Sequence, residues 1–259
     1  MVFPTYELTE VDSKEYVTNN TVVTMQASLE CMGRQSLDIL SSMGKNQLPW
    51  EEKTEKLFWR GRDSRRERLQ LVELAQKYPD AINASITAFF FFRDEEARLG
   101  KTPYISFFDF FDHKYQMNID GTVAAYRLPY LLAGSGLVFK QESSYYEHFY
   151  SSLEPWVHYV PVASDLSDIM DRIEWARDND DKARQIVRNA QKFAEDHLMP
   201  QHVLCYHAQM LSRWARIIKN KVQLGEGMER VERTKKDDNF GSCICEGKDK
   251  SIKPTKDEL

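Results

Sequence analysis

No stretch of the 259-residue chain comes near the ~20 consecutive apolar residues that a helix needs to cross a bilayer, so a helical membrane span is excluded. There is no basic excess either. Thirty-five Lys and Arg stand against 40 Asp and Glu, for a formal net charge of −5, which argues against a dedicated nucleic-acid binder. Four cysteines are too few for a disulfide-built scaffold. Two of them, Cys243 and Cys245, are too close in the chain to bond to each other without strain. No second Cys or His pair follows at zinc-ligand spacing. The Gly-x-x-x-x-Gly-Lys-Ser/Thr loop is missing, which removes P-loop nucleotidases. The six histidines show no His-Glu-x-x-His spacing, and no Gly-x-Ser-x-Gly elbow occurs. Internal repeats and low-complexity tracts are absent as well.

What is present is an ordinary globular composition, 42% hydrophobic and 29% charged, long enough for one large domain or two small ones. Residues 1–50 are of mixed polarity, with a short helix expected in "SLECMGRQSLDILSSM". From "TEKLFWRG" onward short β-rich runs alternate with helical stripes, the pattern of βαβ units around a parallel sheet. Strands are expected near 56–60, 115–119, 136–140 and 157–161. Helices are expected in "SRRERLQLVELAQKYP", in "TVAAYRLPYLLAG" closed by Gly134, in "YYEHFYSSL", in two runs separated by the acidic turn 178–181, and in "HVLCYHAQMLSRWARIIKN". Ser164, Asp165 and Ser167 are capping candidates. Residues 51–221 thus read as a Rossmann-like α/β domain and 222–259 as a polar tail.

In such sheets ligands sit at the carboxyl ends of strands, where a loop turns into a helix. Two crossings stand out. "FWRGRDSRRER" puts five arginines in nine residues beside Gly61, a candidate anion site, or else a solvated helix start whose charges pair with Asp63 and Glu67. "MNIDGTVAAYRLPYL" places Gly121 before the small residues Thr122, Val123, Ala124 and Ala125, with Arg127 one turn on and Asp120 able to accept a sugar hydroxyl. A tight βα turn with good packing explains the same residues. The aromatic runs "AFFFFRDEE" and "ISFFDFFDHKY" could form a stacking wall or simply core.

The chain ends in Lys256-Asp257-Glu258-Leu259, an address read by a receptor that returns proteins to the endoplasmic reticulum. Glu7, Glu10 and Asp12 occupy the positions where a signal peptide would be basic and then apolar. Asn19-Asn20-Thr21 and Asn83-Ala84-Ser85 fit the glycosylation pattern. Taken with "FWRGRDSRRER", "ISFFDFFDHKYQMNIDGTVAAYRLPYLLAGSGLVFK" and "YYEHFYSSLEPWVHYVPV", this chain resembles the protein O-glucosyltransferases with a capsule-associated-protein-type domain, KDEL-containing members in particular, over about residues 50–222.

The resemblance implies the donor-binding half of a GT-B enzyme of the endoplasmic reticulum lumen. Such enzymes move glucose, or in some members xylose, from a UDP-sugar to a serine of EGF-like repeats without a metal ion. It carries UDP-sugar contacts onto Arg62, Arg68, Thr122, Val123, Ala124, Ala125, Tyr126 and Arg127, although relatives have Ser at the position of Arg62. The general base, an aspartate of the family's first domain, has no counterpart stretch here, so residues 1–50 read as a remnant of that domain and the chain as the rear of a longer enzyme. A non-catalytic lumenal module that holds UDP or a client is the competing reading. The resemblance further implies that Cys205 has no disulfide partner within this chain.

Overall fold

A computed structural model describes residues 48–217. The expected remnant and tail, the helix in 28–43, the site at Asn19, the terminal retention signal and the other three cysteines lie outside these residues. The chain divides into two compact units, Met1–Pro200 and Gln201–Leu259.

In the first unit β1 (Thr54–Arg62), β2 (Ile82–Ala88), β3 (His113–Asn118), β4 (Leu137–Gln141) and β5 (Val160–Val162) form one sheet in the order β2-β1-β3-β4-β5. Every neighbouring pair is parallel. The helices are α1 (Arg66–Lys77), α2 (Glu96–Leu99), α3 (Leu128–Ala133), α4 (Ile169–Asp178) and α5 (Asp180–His197); α6 (Pro200–Ile217) falls almost wholly in the second unit. The period of two along a strand explains the layering. Leu57 and Trp59 of β1, with Leu137 and Phe139 of β4, enter a core shared with Leu69, Val72 and Ile173. Phe58 and Val138 enter the other face with Leu128, Leu131 and Phe193. Because both faces are covered, β4 is buried at all five positions.

The expected fold class therefore holds, and the differences are local. β2 was not expected as a strand. Ile82, Ala84 and Ile86 are its buried positions, and the alternating Asn83, Ser85 and Thr87 are only half-buried, as suits an edge strand. Asn83 of the glycosylation triplet is thereby set inside the sheet, its Oδ1 accepting from Arg60 Nη2 at 2.7 Å. "YYEHFYSSL" forms only a short 3-10 turn, Tyr150–Ser152.

The helix expected to start at Thr122 starts instead at Leu128. Pro129 is the reason. Placed in a helix interior it would lack the N–H for the carbonyl of Ala125 and clash with it, so the helix can only begin near the proline. Gly134 does cap this helix, with φ −85°. Its need for glycine is contact rather than backbone conformation, since a Cβ there would sit 1.8 Å from Cε1 of Phe111.

Asp168 rather than Ser164, Asp165 or Ser167 takes the N-cap position of α4. Asp165 Oδ1 accepts the Ser167 N–H at 3.0 Å, and Asp168 Oδ1 accepts that of Ala163 at 2.9 Å. Of the acidic turn expected at 178–181, only Asn179 lies between α4 and α5, while Asp178 ends the first helix and Asp180 and Asp181 begin the second. One expectation is overturned: Cys205 is disulfide-bonded, and its partner is not among the described residues.

Candidate functional site

The carboxyl ends of β1, β2 and β3 open on a cleft of about 1020 Å³. All eight residues carried over by resemblance line it: Arg62, Arg68, Thr122, Val123, Ala124, Ala125, Tyr126 and Arg127. The two crossings therefore face one space, because their parent strands β1 and β3 are hydrogen-bonded neighbours.

The five arginines of the first crossing do not act as one cluster. Arg65 lies 3.5 Å from Glu67 and 3.9 Å from Asp120, and Arg66 stacks on Phe92 at 5.0 Å. Neither lines the cleft. Arg60 lines it but spends its guanidinium on the Trp59 and Asn83 carbonyls, both 2.9 Å away, and on the Asn83 side chain. Arg62 is exposed, with its guanidinium 5.2 Å from the Phe90 ring centroid.

Arg68, one turn into α1, is 6% exposed and bonds four acceptors. Its Nε donates to Asp120 O at 2.6 Å, Nη2 to Ile119 O at 3.1 Å, and Nη1 to Arg62 O and Ser64 Oγ, each at 3.0 Å. The guanidinium thus ties the end of β1 to the end of β3.

Arg127 answers from the second crossing, with Nη1 donating to Arg60 O at 2.7 Å. Each guanidinium lies against the other crossing's glycine. A Cβ on Gly121 would meet Arg68 Nη2 at 3.0 Å, and one on Gly61 would meet Arg127 Nη2 at 3.2 Å. Burial pushes Arg68 down to about 9, and the neighbouring Arg127 charge adds to that while Asp120 opposes it. Desolvation pushes Arg127 down to about 10, with Tyr104 opposing it. Both stay charged at neutral pH, as two like charges forced together in a low-dielectric wall. Such a pair is stabilised by an anion lying between or beside its members.

Asp120 does not offer an open carboxylate for a sugar hydroxyl. It is 5% exposed, its Oδ2 accepts the Ser143 hydroxyl at 2.5 Å, and burial raises its pKa. Thr122 through Ala125 follow as non-helical turns, with the Gly121 N–H on Val123 O at 2.8 Å. Ala124 and Ala125 are buried, and Thr122 and Tyr126 are exposed. The small side chains leave the cleft floor open, but no helix dipole points into it from this segment.

Two residues that shape the site were missed. Asp63 was read as a charge partner for the arginines. It is fully buried and instead accepts the backbone N–H groups of Phe90, Phe91 and Phe92 at 2.7–2.9 Å. One carboxylate therefore latches the β2 loop to the first crossing and sets Phe90 on the cleft wall, while Phe90 and Phe91 stay 52% and 63% exposed. The "FFFF" run is thus divided between wall and surface, and Phe89 alone of the four is buried in the core. The other is Trp59, beneath both guanidiniums; its place on the inward face of β1 was legible in the alternation of "KLFWRG".

The sequence matches the model of the Glycosyl transferase family 90 over residues 1–255. It is 48% identical over 260 residues to protein O-glucosyltransferase 2 of Danio rerio, a match that covers 100% of this chain and 47% of that protein. It is 44% identical over 259 residues to protein O-glucosyltransferase 3 of Homo sapiens, again covering 100% of this chain and 47% of that one. The chain thus spans about half the length of these relatives. Among solved structures TarM shares the fold, with a TM-score of 0.51 at 13% identity over 85% of this chain and 43% of TarM.

Proposed function

Since the chain belongs to glycosyl transferase family 90, we infer that its cleft holds the diphosphate of a UDP-sugar against Arg68 and Arg127, as the donor site of a protein O-glucosyltransferase. The observation that carries this reading is the crossed pair itself, a buried and a half-buried guanidinium at facing strand ends, each against the other's glycine. Arg68 is held by backbone carbonyls, so it supplies a fixed positive field. Arg127, with a single backbone bond described, can turn its fork toward phosphate oxygens. Together they stabilise negative charge on the departing UDP, the task a divalent ion performs in other transferases.

The acceptor is a serine of an EGF-like repeat, the donor sugar glucose or xylose, and the compartment the endoplasmic reticulum lumen with retrieval by the KDEL receptor. These finer assignments follow the resemblance and the terminal Lys256–Leu259. Titration calorimetry of the 259-residue chain with UDP-glucose and UDP-xylose tests the donor site. A folded sample that binds neither overturns it. A labelled-sugar transfer assay on an EGF-like repeat, run on the same preparation, separates an enzyme from a module that only holds UDP.

A further inference from the structure

Trp59 lies under the proposed donor site without lining the cleft. It is fully buried on β1, and its indole is, among the described residues, the one ring within cation–π reach of both guanidiniums: the Arg68 carbon is 5.3 Å and the Arg127 carbon 5.7 Å from it. Phe110 reaches Arg127 alone, at 5.3 Å. A Cβ on Gly61 would fall 2.6 Å from Cζ2 of Trp59, so the indole also fills the space at the glycine that Arg127 approaches. Its own N–H is buried with no hydrogen-bond partner among the described residues. A buried indole normally finds one, and going without is a cost. What the ring contributes here is therefore its volume and its π-face rather than a polar contact.

The π-face has a definite use. Two guanidiniums of the same charge are held in one wall, and the nearest carboxylate, Asp120, is engaged with Ser143 and has its charged form disfavoured by burial. A ring quadrupole offers both cations negative density without a full charge that would repel an incoming phosphate. We propose that Trp59 is a positioning residue for nucleotide-diphosphate binding, keeping Arg68 and Arg127 at their separation and partly offsetting their repulsion until the anion arrives. The proposal rests on the donor-site reading above.

The test compares Trp59→Phe with Trp59→Leu. Both leave a cavity, the larger one for leucine, but only the first keeps a π-face, and the melting temperatures record the cost of the cavity separately. UDP affinity is measured by calorimetry on the 259-residue chain, with thermal unfolding recorded for each variant. Trp59→Phe should bind UDP within about threefold of the native chain, and Trp59→Leu about tenfold or more weakly, at similar melting temperatures. If Trp59→Leu does not fold, Trp59→Met, whose flexible chain fills irregular gaps, is compared in its place. Equal affinities for the aromatic and aliphatic variants, whether both reduced or both native-like, would overturn the role of the ring. A native chain that folds and does not bind UDP would overturn the donor site, and this proposal with it.

Discussion

The two crossings are alike in outline, with Gly61 seven residues before Arg68 and Gly121 six residues before Arg127, yet they are built differently. After β1 the chain enters a twelve-residue helix within four residues, and Arg68 becomes part of the scaffold, with four acceptors on one guanidinium. After β3 the chain runs through turns until Leu128, and Arg127 has one described backbone bond. The first arginine is thus structural as well as electrostatic, while the second lines the cleft with most of its donors unspent on described backbone, as the proposed diphosphate contact requires. Burial ranks the two in the same order, Arg68 buried and Arg127 half-buried, and the number of carbonyls already served supplies the reason.

Removing each arginine in turn should separate these roles. Arg68→Ala leaves three carbonyls and a hydroxyl around Arg62, Ser64, Ile119 and Asp120 without their donor. At ~1–3 kcal/mol per unsatisfied buried group, much of a domain's marginal stability is lost, and melting should fall by more than 10 °C or not be cooperative. Arg127→Ala should melt within a few degrees of the native chain but bind UDP-glucose roughly 10- to 100-fold more weakly, by the ~1.5–3 kcal/mol of a charge-assisted bond. A large loss of stability in the second variant and none in the first would reverse the comparison.

Alkaline titration sharpens it further. The anion needs both guanidiniums charged, so affinity should be level from pH 6 to about 8 and fall as pH passes the value of about 9 for Arg68, before Arg127 at about 10. Bound diphosphate raises both values, so the decline continues as a slope rather than a step. Calorimetry across that range checks it, and constant affinity to pH 10.5 would show that both guanidiniums keep their protons in the wall.

The smallest effect distinguishes the glycines. Gly61→Ala forces a Cβ to 2.6 Å from the buried indole of Trp59, whereas Gly121→Ala meets a guanidinium nitrogen at 3.0 Å. The first should cost ~1–3 kcal/mol as overpacking and the second under ~1 kcal/mol with a few-fold loss of UDP affinity. Denaturant midpoints and UDP titrations would reveal the opposite order if the guanidinium were the stiffer neighbour.

Much of this was readable beforehand. Strand-like runs such as "GLVFK" and "KLFWRG" became β4 and the middle of β1, and Gly61 and Gly121 marked the strand ends that open on the cleft. Pro129 held the information that α3 begins late, but the small residues before it were read as a first turn. β2 was hidden because Asn83, Ser85 and Thr87 dilute a short edge strand. Asp63 could not have been assigned from its neighbours, since the N–H groups it accepts lie 27 to 29 residues away.

The division follows the range of the forces. Hydrophobic periodicity, glycine and proline act over a few residues, so the sequence alone determined the parallel α/β class, the strand ends that matter and the residue types available there. Which arginine is spent on carbonyls, which keeps donors free toward the cleft, and that Trp59 underlies both depend on β1 and β3 lying side by side, a pairing between residues some sixty positions apart. Only the folded sheet creates that adjacency, and with it the wall that holds two like charges side by side.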